Sequence, residues 1–271
     1  MQHSKKSAVD GATDVSGSGT GTLGKAMALL DLVAAADAPL RFVEILALTQ
    51  QPRGTVHRQL SHLVEEGLLA LREDLRYEPG IRLLTLASNA WSRNQFRAVA
   101  EPHLKRLQEQ TGETIHLGIL RGLEVIYLDK VEGRQAIRMH SQIGNASPVY
   151  CTGVGKAALS VLDEGKLLEV MGQLIFHPYT PSTHRSVRSL MEDIVHIKKR
   201  GYAFDREEHE RGICCVAAPV HSRHHGIVAG ISVTGPVHRL PAEKLEAWAG
   251  LVDHAAVAIS ADLVARLGPG R

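Results

Sequence analysis

The spacing of apolar residues changes once along the chain, near residue 112, and this change constrains the fold more than any other feature. Before that point, apolar side chains recur every three or four residues, as on one face of a helix. Beyond it, short stretches alternate apolar and polar residues as strands do, with helical stretches between them. The 271 residues are enough for two domains with separate cores. We therefore predict a helical N-terminal domain and an α+β C-terminal domain.

Three short amphipathic segments open the N-terminal domain. Leu30, Ile45 and Leu60 are among the residues predicted to face inward, one from each segment. The stretch LLALREDLRYEPG follows and is typical of two short strands about a polar tip. Three helices with a tight turn before the third, then a β-hairpin, predict a winged helix-turn-helix. We assign residues 22–92 to this domain and residues 93–111 to a linker helix.

Residues 112–267 are predicted to form an α+β domain with a mostly antiparallel sheet. TIHLGIL, VIYL and AIRMHS alternate like strands, and ICCVAAPV and GIVAGISVTG flank a basic hairpin turn. Helices are predicted from about Gly155, before the cap at Gly201, and from Pro241 to the end of the domain.

Composition favours a soluble protein of a reducing cytoplasm. No run of about 18 apolar residues is present, so no membrane partner is expected. Residues 1–21 are small and polar, which predicts a disordered leader and not a secretory signal. Three cysteines cannot form a disulfide framework. Because residues 22–92 hold 7 basic and 8 acidic side chains, any DNA contact must come from local placement of charge.

The third helix carries the candidate DNA contacts. It has no acidic residue from Gln50 to Leu63, and guanidinium and hydroxyl groups are what a helix in the major groove uses. Arginines on the hairpin add candidates for phosphate or minor-groove contact. The alternative is a solvated basic helix that contacts only protein, and it predicts no salt-dependent DNA affinity. The candidate DNA contacts are Arg53, Thr55, His57, Arg58, Arg72, Arg76 and Tyr77.

The strand GISVTG predicts a small polar pocket in the C-terminal domain. Because side chains alternate along a strand, Ser232 and Thr234 share one face. Cys214 and Cys215 must face opposite ways, so only one of them can join such a pocket. Asp205, in the preceding segment, adds an acceptor. Each residue alone is more often an ordinary polar residue, but together they suggest a binding site.

The stretch CTGVGKAALS resembles a phosphate-binding loop but lacks two of its required residues. Tyr150 stands where the first glycine belongs, and Ala157 stands where a hydroxyl should hold magnesium. The amides from Gly153 to Lys156 nevertheless lead into a helix N-terminus, which suits an anion. We therefore predict that these amides hold a small anion and that the Lys156 side chain faces solvent.

The cysteines and histidines raise two further hypotheses, a catalytic nucleophile and a metal site. Cys151, at a helix start, could have a lowered thiol pKa and serve a hydrolase or transferase as nucleophile, with the N-terminal helices used for assembly. A packed structural cysteine is favoured, because no partner base can be named, and we do not predict an enzyme. No CxxC spacing occurs, and the histidines near residue 224 fit a solvated turn, so neither a metal nor a cofactor is predicted.

The chain resembles the IclR-type bacterial transcriptional regulators over residues 22–265. PRGTVHRQLSHLVEEGLL is similar to the recognition helix of that family, and YCTGVGKAALSVL to its effector-domain loop and helix. GYAFDREEHERGICCVAAPV and GIVAGISVTGPVHR are similar to its C-terminal signature. DKVEG, YCTGVGKA and EEHERGI most resemble the regulators of sugar-acid catabolism that respond to 2-keto-3-deoxygluconate.

The resemblance implies a winged helix-turn-helix joined by a helix to a GAF-like effector domain. It also implies a dimer or dimer of dimers that binds palindromic operators in double-stranded DNA, and a repressor controlled by a small keto acid or sugar acid. The acidic wing residues Glu73 and Asp74 depart from a DNA-binding wing. By this resemblance, the effector-binding residues are Thr152, Gly153, Val154, Gly155, Asp205, Cys215, Ser232 and Thr234.

Overall fold

The computed structural model describes residues 21–135 and 141–268. The predicted leader, apart from Gly21, lies outside these residues, as does most of the predicted strand AIRMHS. The described residues divide into two compact units, with the boundary between Arg93 and Asn94.

The first unit is a winged helix-turn-helix, as predicted. Its elements follow in chain order: α1 (Gly21–Ala34), β1 (Leu40–Arg41), α2 (Phe42–Ala47), α3 (Arg53–Glu65), β2 (Leu69–Leu71), β3 (Arg76–Pro79) and α4 (Ile81–Ser92). The strands form an antiparallel sheet in the order β1-β3-β2. Leu30, Ile45 and Leu60, predicted to face inward, are buried in one core with Tyr77 of β3. That core fixes α3 against α1 and α2.

The helix α4 differs from the others of this unit in having no buried residue. The predicted helical spacing is present, but Leu84 is 67% exposed and Ile81 is 76% exposed. Its apolar side chains therefore contribute little to the core of the first unit.

The second unit is an α+β domain, as predicted. Its elements are α5 (Gln95–Thr111), β4 (Thr114–Arg121), β5 (Glu124–Val131), β6 (Ala146–Pro148), α6 (Gly153–Ser160), α7 (Glu164–Gln173), α8 (Val187–Arg200), β7 (Ala203–Arg206), β8 (Ile213–Ser222), β9 (Ile227–Pro236) and α9 (Ala242–Leu267). One six-stranded antiparallel sheet has the order β6-β5-β4-β9-β8-β7. The predicted caps are present: α5 ends at Gly112 and α8 at Gly201, both with the left-handed backbone that glycine adopts without strain.

The sheet separates two cores. On one face, Ile115, Val216 and Val233 pack with residues of α5 and α9. On the other face, Ala217 packs with residues of α6, α7 and α8. The length and hydropathy of α9 would allow it to cross a membrane, but its buried residues, such as Val252, pack in the first of these cores, as in the core helix of a soluble domain. The helix α5, which covers most of the linker predicted over residues 93–111, packs in this core along its length, from Phe96 to Leu107.

Candidate functional site

Strand register brings the predicted pocket residues onto one face of the sheet. Asp205 of β7 pairs with Cys215 of β8, which pairs with Thr234 of β9. In the next row on the same face, Ala217 pairs with Ser232, and Ser232 pairs with His116 of β4. Side chains in directly paired positions lie side by side.

The adjacent cysteines face opposite sides of the sheet. Cys215 lies on the face just described. The Cys214 thiol donates toward the carbonyls of Gly235 and Leu240 on the other face. Alternation along β8 is compatible with either cysteine on the pocket side, and Cys215 is the one that lies there.

A cavity of about 260 Å³ lies where the start of α6 meets this face of the sheet. Seven of the eight predicted effector-binding residues line it, and Gly155 does not. Residues 141–147 and the loop after β7 supply much of the remaining wall. The lining residues not predicted from the sequence are His116, Tyr127, Ser141, Asn145, Ala146, Ser147, His209, Glu210 and Ile213.

The first turn of α6 borders this cavity, because Gly153 and Val154 line it. Thr152 caps the helix, because its Oγ1 accepts from the Gly155 amide at 3.2 Å and donates to the Pro148 carbonyl at 2.9 Å. The Lys156 amide donates to the Thr152 carbonyl at 2.9 Å. Among the described residues, the amides of Gly153 and Val154 have no acceptor. The anion site predicted from Gly153 to Lys156 is thus reduced to its first two amides.

Glycines let α6 approach the sheet closely. A Cβ at Gly153 would collide with the Cys215 sulfur, and a Cβ at Gly118 would lie 2.8 Å from a methyl of Val154. A Cβ at Gly155 would lie 2.5 Å from the Val149 Cα. A larger residue at these positions would push the helix, and with it the Gly153 and Val154 amides, away from the cavity.

The Lys156 side chain is buried, which contradicts the expectation that it faces solvent. Its Nζ lies 2.7 Å from Asp193 of α8 and 2.6 Å from Glu208 in the loop after β7. Burial alone would lower the pKa of Lys156, but the two carboxylates raise it above its usual value. This charged cluster ties α6 to α8 and to the loop beside the cavity.

The oxygens of Asp193 and Glu208 also lie near a ring nitrogen of His184, a geometry that could hold a metal ion. The Lys156 ammonium already lies between the two carboxylates and balances their charge. The cluster is therefore an ion-pair network built around an internal lysine.

Asp205 is a buried carboxyl group at the cavity wall. Burial and then the nearby Glu208 carboxylate raise the pKa of Asp205 to about 7. Its Oδ1 accepts a hydrogen bond from the Glu208 amide at 2.7 Å, which holds the loop after β7 in place. Near neutral pH this side chain can therefore either donate or accept a hydrogen bond.

Cys151 does not have the properties of a nucleophile. Its side chain is fully buried, and burial, followed by the charges of Asp205 and Glu208, raises its thiol pKa well above the usual range. A reactive cysteine requires a lowered thiol pKa and access to substrate. The structure therefore contradicts the lowered pKa considered for Cys151 and agrees with a packed structural cysteine.

The outer face of α3 is the candidate DNA-binding surface. Arg53, His57 and Arg58 are exposed, and Thr55 is half-buried. The Arg53 guanidinium lies over the Phe42 ring of α2 at 5.0 Å, and the His57 ring meets the same ring edge-on at 5.9 Å. Phe42 thus fixes the orientation of two of the predicted contacts.

The wing arginines are already paired with acidic groups. Arg72 forms ion pairs of 3.5 Å with Asp74 and Glu78. Arg76 pairs with Asp74 and Glu44 and donates to the Pro39 carbonyl at 2.9 Å. These pairs reduce the positive charge that the wing presents to DNA.

Tyr77, one of the predicted DNA contacts, packs in the core of the first unit. It is 9% exposed and lies in the core of the first unit, because alternation along β3 turns it inward between Arg76 and Glu78. Burial also raises the pKa of its hydroxyl. This packing argues against Tyr77 as a DNA contact.

A winged helix-turn-helix unit and a second unit with a small polar cavity together define the architecture of a one-component transcriptional regulator. The sequence matches two family models accordingly. Residues 22–73 match the IclR helix-turn-helix domain, and residues 88–261 match the bacterial transcriptional regulator IclR C-terminal domain. The chain belongs to the IclR family of bacterial transcriptional regulators, which confirms the resemblance found in the sequence. It is therefore a DNA-binding regulator and not an enzyme.

Individual relatives resemble the chain over most of its length. The transcriptional repressor IclR of Escherichia coli (strain K12) is 29% identical over 238 residues, 87% of each chain. The regulator KdgR of the same strain is 30% identical over 227 residues, 82% of this chain and 86% of the relative. The crystal structure of Thermotoga maritima IclR has 35% identity and a TM-score of 0.67, covering 89% of this chain and 98% of that one. The near-equal identities to IclR and KdgR do not separate the subgroups.

Proposed function

We propose that this regulator represses a catabolic operon for sugar acids or keto acids and is released by a small carboxylate effector. The observation that carries the proposal is the cavity, because Ser232 and Thr234 line it together with Gly153 and Val154, whose amides have no acceptor among the described residues. Repression agrees with the name of the IclR relative, and the sugar-acid subgroup agrees with the DKVEG and EEHERGI stretches.

The cavity chemistry favours a small anion held by neutral groups. Its volume is below that of most drug-sized pockets and suits a metabolite of a few carbons. The lining residues within the described chain include no lysine or arginine. The Gly153 and Val154 amides, at the positive end of the α6 dipole, then hold the carboxylate. Ser232 and Thr234, on the opposite wall, bind a second oxygen of the effector.

DNA recognition is assigned to the outer face of α3. Arg53, Thr55, His57 and Arg58 are proposed to contact bases and phosphates in the major groove. The wing contributes through Arg72 and Arg76 to a smaller extent, because both are paired. A dimer or a dimer of dimers is proposed to bind a palindromic operator in the cytoplasm, and the effector changes operator affinity through the linkage between the two sites.

A thermal-shift screen of keto acids and sugar acids tests the effector proposal. A ligand that binds only the folded protein raises the melting temperature by mass action. Pyruvate, glyoxylate and D-gluconate are suitable first probes, and the best of them is then titrated into a complex of the protein with DNA from its own promoter region. Release of the DNA is the expected result.

The double variant Ser232→Ala, Thr234→Val provides the matched control. It removes two hydroxyls at nearly constant volume and should weaken binding of the active probe, measured by calorimetry, while DNA binding without the probe is retained. Equal affinity of wild type and variant would show that the probe binds elsewhere.

A further inference from the structure

We propose that His116 selects the effector by keeping the Ser232–Thr234 hydroxyl pair as a net hydrogen-bond donor. The effector class that follows is a 2-oxo acid, whose oxo oxygen can only accept hydrogen bonds, in preference to the matching 2-hydroxy acid. This inference rests on the proposed function, in that it takes the cavity to be the effector site.

Four polar groups form a continuous chain along one wall of the cavity. The His116 side chain is buried, and its Nδ1 lies 3.2 Å from Thr234 Oγ1. Its Nε2 lies 2.7 Å from Ser141 Oγ. Thr234 Oγ1 in turn lies 3.0 Å from Ser232 Oγ. The imidazole ring is therefore the link between the rim of the cavity at Ser141 and the hydroxyl pair of β9.

The ring is neutral at physiological pH. Burial, and then the charge of Lys130, lower the pKa of His116 to about 3. A neutral imidazole has one N–H and one lone pair, so it donates at one end and accepts at the other. The direction of every hydrogen bond in the chain then follows from which nitrogen carries the proton.

Lys130 favours the proton on Nδ1. Its ammonium donates to the Ser141 carbonyl at 2.7 Å, which places a positive charge on the Nε2 side of the ring. Glu132 also pairs with Lys130, but that carboxylate is half exposed. A nearby cation stabilises a lone pair and disfavours an N–H. Ser141 therefore donates to Nε2, and the Nδ1–H donates to Thr234.

The number of free hydroxyl protons on Ser232 and Thr234 determines which effector binds better. With the proton on Nδ1, Thr234 accepts from the ring, so one proton of the Ser232–Thr234 pair serves their mutual hydrogen bond and the other points into the cavity. With the proton on Nε2, Thr234 donates to the ring and Ser232 to Thr234, which leaves no proton for a ligand. An oxo oxygen satisfies the first arrangement, whereas a hydroxyl there brings a second proton that needs its own buried acceptor.

Calorimetry with matched acids tests the selectivity. Pyruvate and L-lactate, and 2-oxobutyrate and L-2-hydroxybutyrate, differ only in the oxo or hydroxyl group. We expect the wild-type protein to bind the oxo acid of a pair about 5- to 150-fold more tightly, because a hydroxyl in its place leaves a buried polar group unsatisfied. His116→Leu removes both ring nitrogens, and the preference should fall to within about threefold.

Two further variants distinguish the loss of the His116 hydrogen bond from a general effect of substitution on the fold. His116→Asn places an amide donor near the Nδ1 position and should retain most of the preference. His196→Leu changes an exposed histidine of α8 and should leave the preference unchanged. Thermal melting of each variant verifies that it is folded.

The ring proton can be located without any ligand. In protein labelled with ¹⁵N-histidine, the His116 signals are those missing from His116→Asn, and their shifts should report the Nδ1–H tautomer. An Nε2–H tautomer, or equal affinities of the wild type for the oxo and hydroxy acids, overturns the inference alone. Absence of binding by either member of every pair overturns the proposed effector site and the inference with it.

Discussion

The Nζ of Lys156 lies 2.6 Å from Oε1 of Glu208, so a buried charge pair joins the first turns of α6 to the loop beside the cavity. Breaking a buried pair by removing one partner leaves an uncompensated charge. Lys156→Met should therefore lower the free energy of unfolding by about 3–5 kcal/mol in urea titrations. Lys166→Met, at an exposed position on α7, should change it by less than about 0.5 kcal/mol. Equal stability of wild type and Lys156→Met would mean that the pair is not buried in solution.

The pKa of Asp205 predicts a pH dependence of stability. Its folded value of about 7 lies above the value of an unfolded aspartate, so the folded state keeps a proton that the unfolded state loses. Stability from this group is thus fully present below about pH 4 and is lost as the pH rises to about 7. Denaturant titrations at intervals from pH 4 to 8 should show this fall. Asp205→Asn should flatten it, and an unchanged slope in the variant would assign the effect to another group.

Arg58 is expected to contact DNA through its exposed guanidinium. Arg58→Ala should weaken operator binding by about 1–3 kcal/mol if the contact is to a base. If the contact is to a phosphate, the plot of log affinity against log salt should become less steep, its slope smaller in magnitude by about one. Fluorescence anisotropy at several salt concentrations distinguishes these outcomes. Arg188→Ala, which changes an exposed arginine of α8, serves as the control. Identical binding curves for wild type and Arg58→Ala would rule out the contact.

The close approach of Gly153 to Cys215 predicts a compensating pair of substitutions. Gly153→Ala introduces a methyl group that collides with the Cys215 sulfur, and overpacking of this kind costs about 1–3 kcal/mol. Adding Cys215→Ala removes the sulfur and should restore part of that loss. Urea titrations of both single variants and the double variant measure the coupling. Additive effects would show that the two side chains do not meet.

Local patterns in the sequence were sufficient for much of the fold. Apolar spacing predicted the helix-turn-helix, and the caps at Gly112 and Gly201 are where helices end. Alternation along a strand paired Ser232 with Thr234, and the structure finds their hydroxyls 3.0 Å apart. These features depend on residues close together in the chain.

The remaining features depend on pairings between distant segments. Lys156 is buried because Asp193 and Glu208, 37 and 52 residues away, meet its ammonium group. His116 joins the cavity because β4 pairs with β9, and its contact with Thr234 spans 118 residues. One sequence pattern could have indicated this position of His116. In TIHLGIL the apolar residues share one face of the strand, so His116 lies on the opposite face.

The cavity wall is a set of paired positions in β4, β7, β8 and β9, with alternate residues facing the opposite core. Inserting or deleting one residue in β9 would exchange Ser232 and Thr234 for Ile231 or Val233 and destroy cavity and core together. Point substitutions in these rows alter only the wall. On this scaffold, ligand preference can therefore change only by replacing side chains within the strands. Insertions and deletions are tolerated only in connecting segments such as residues 141–145.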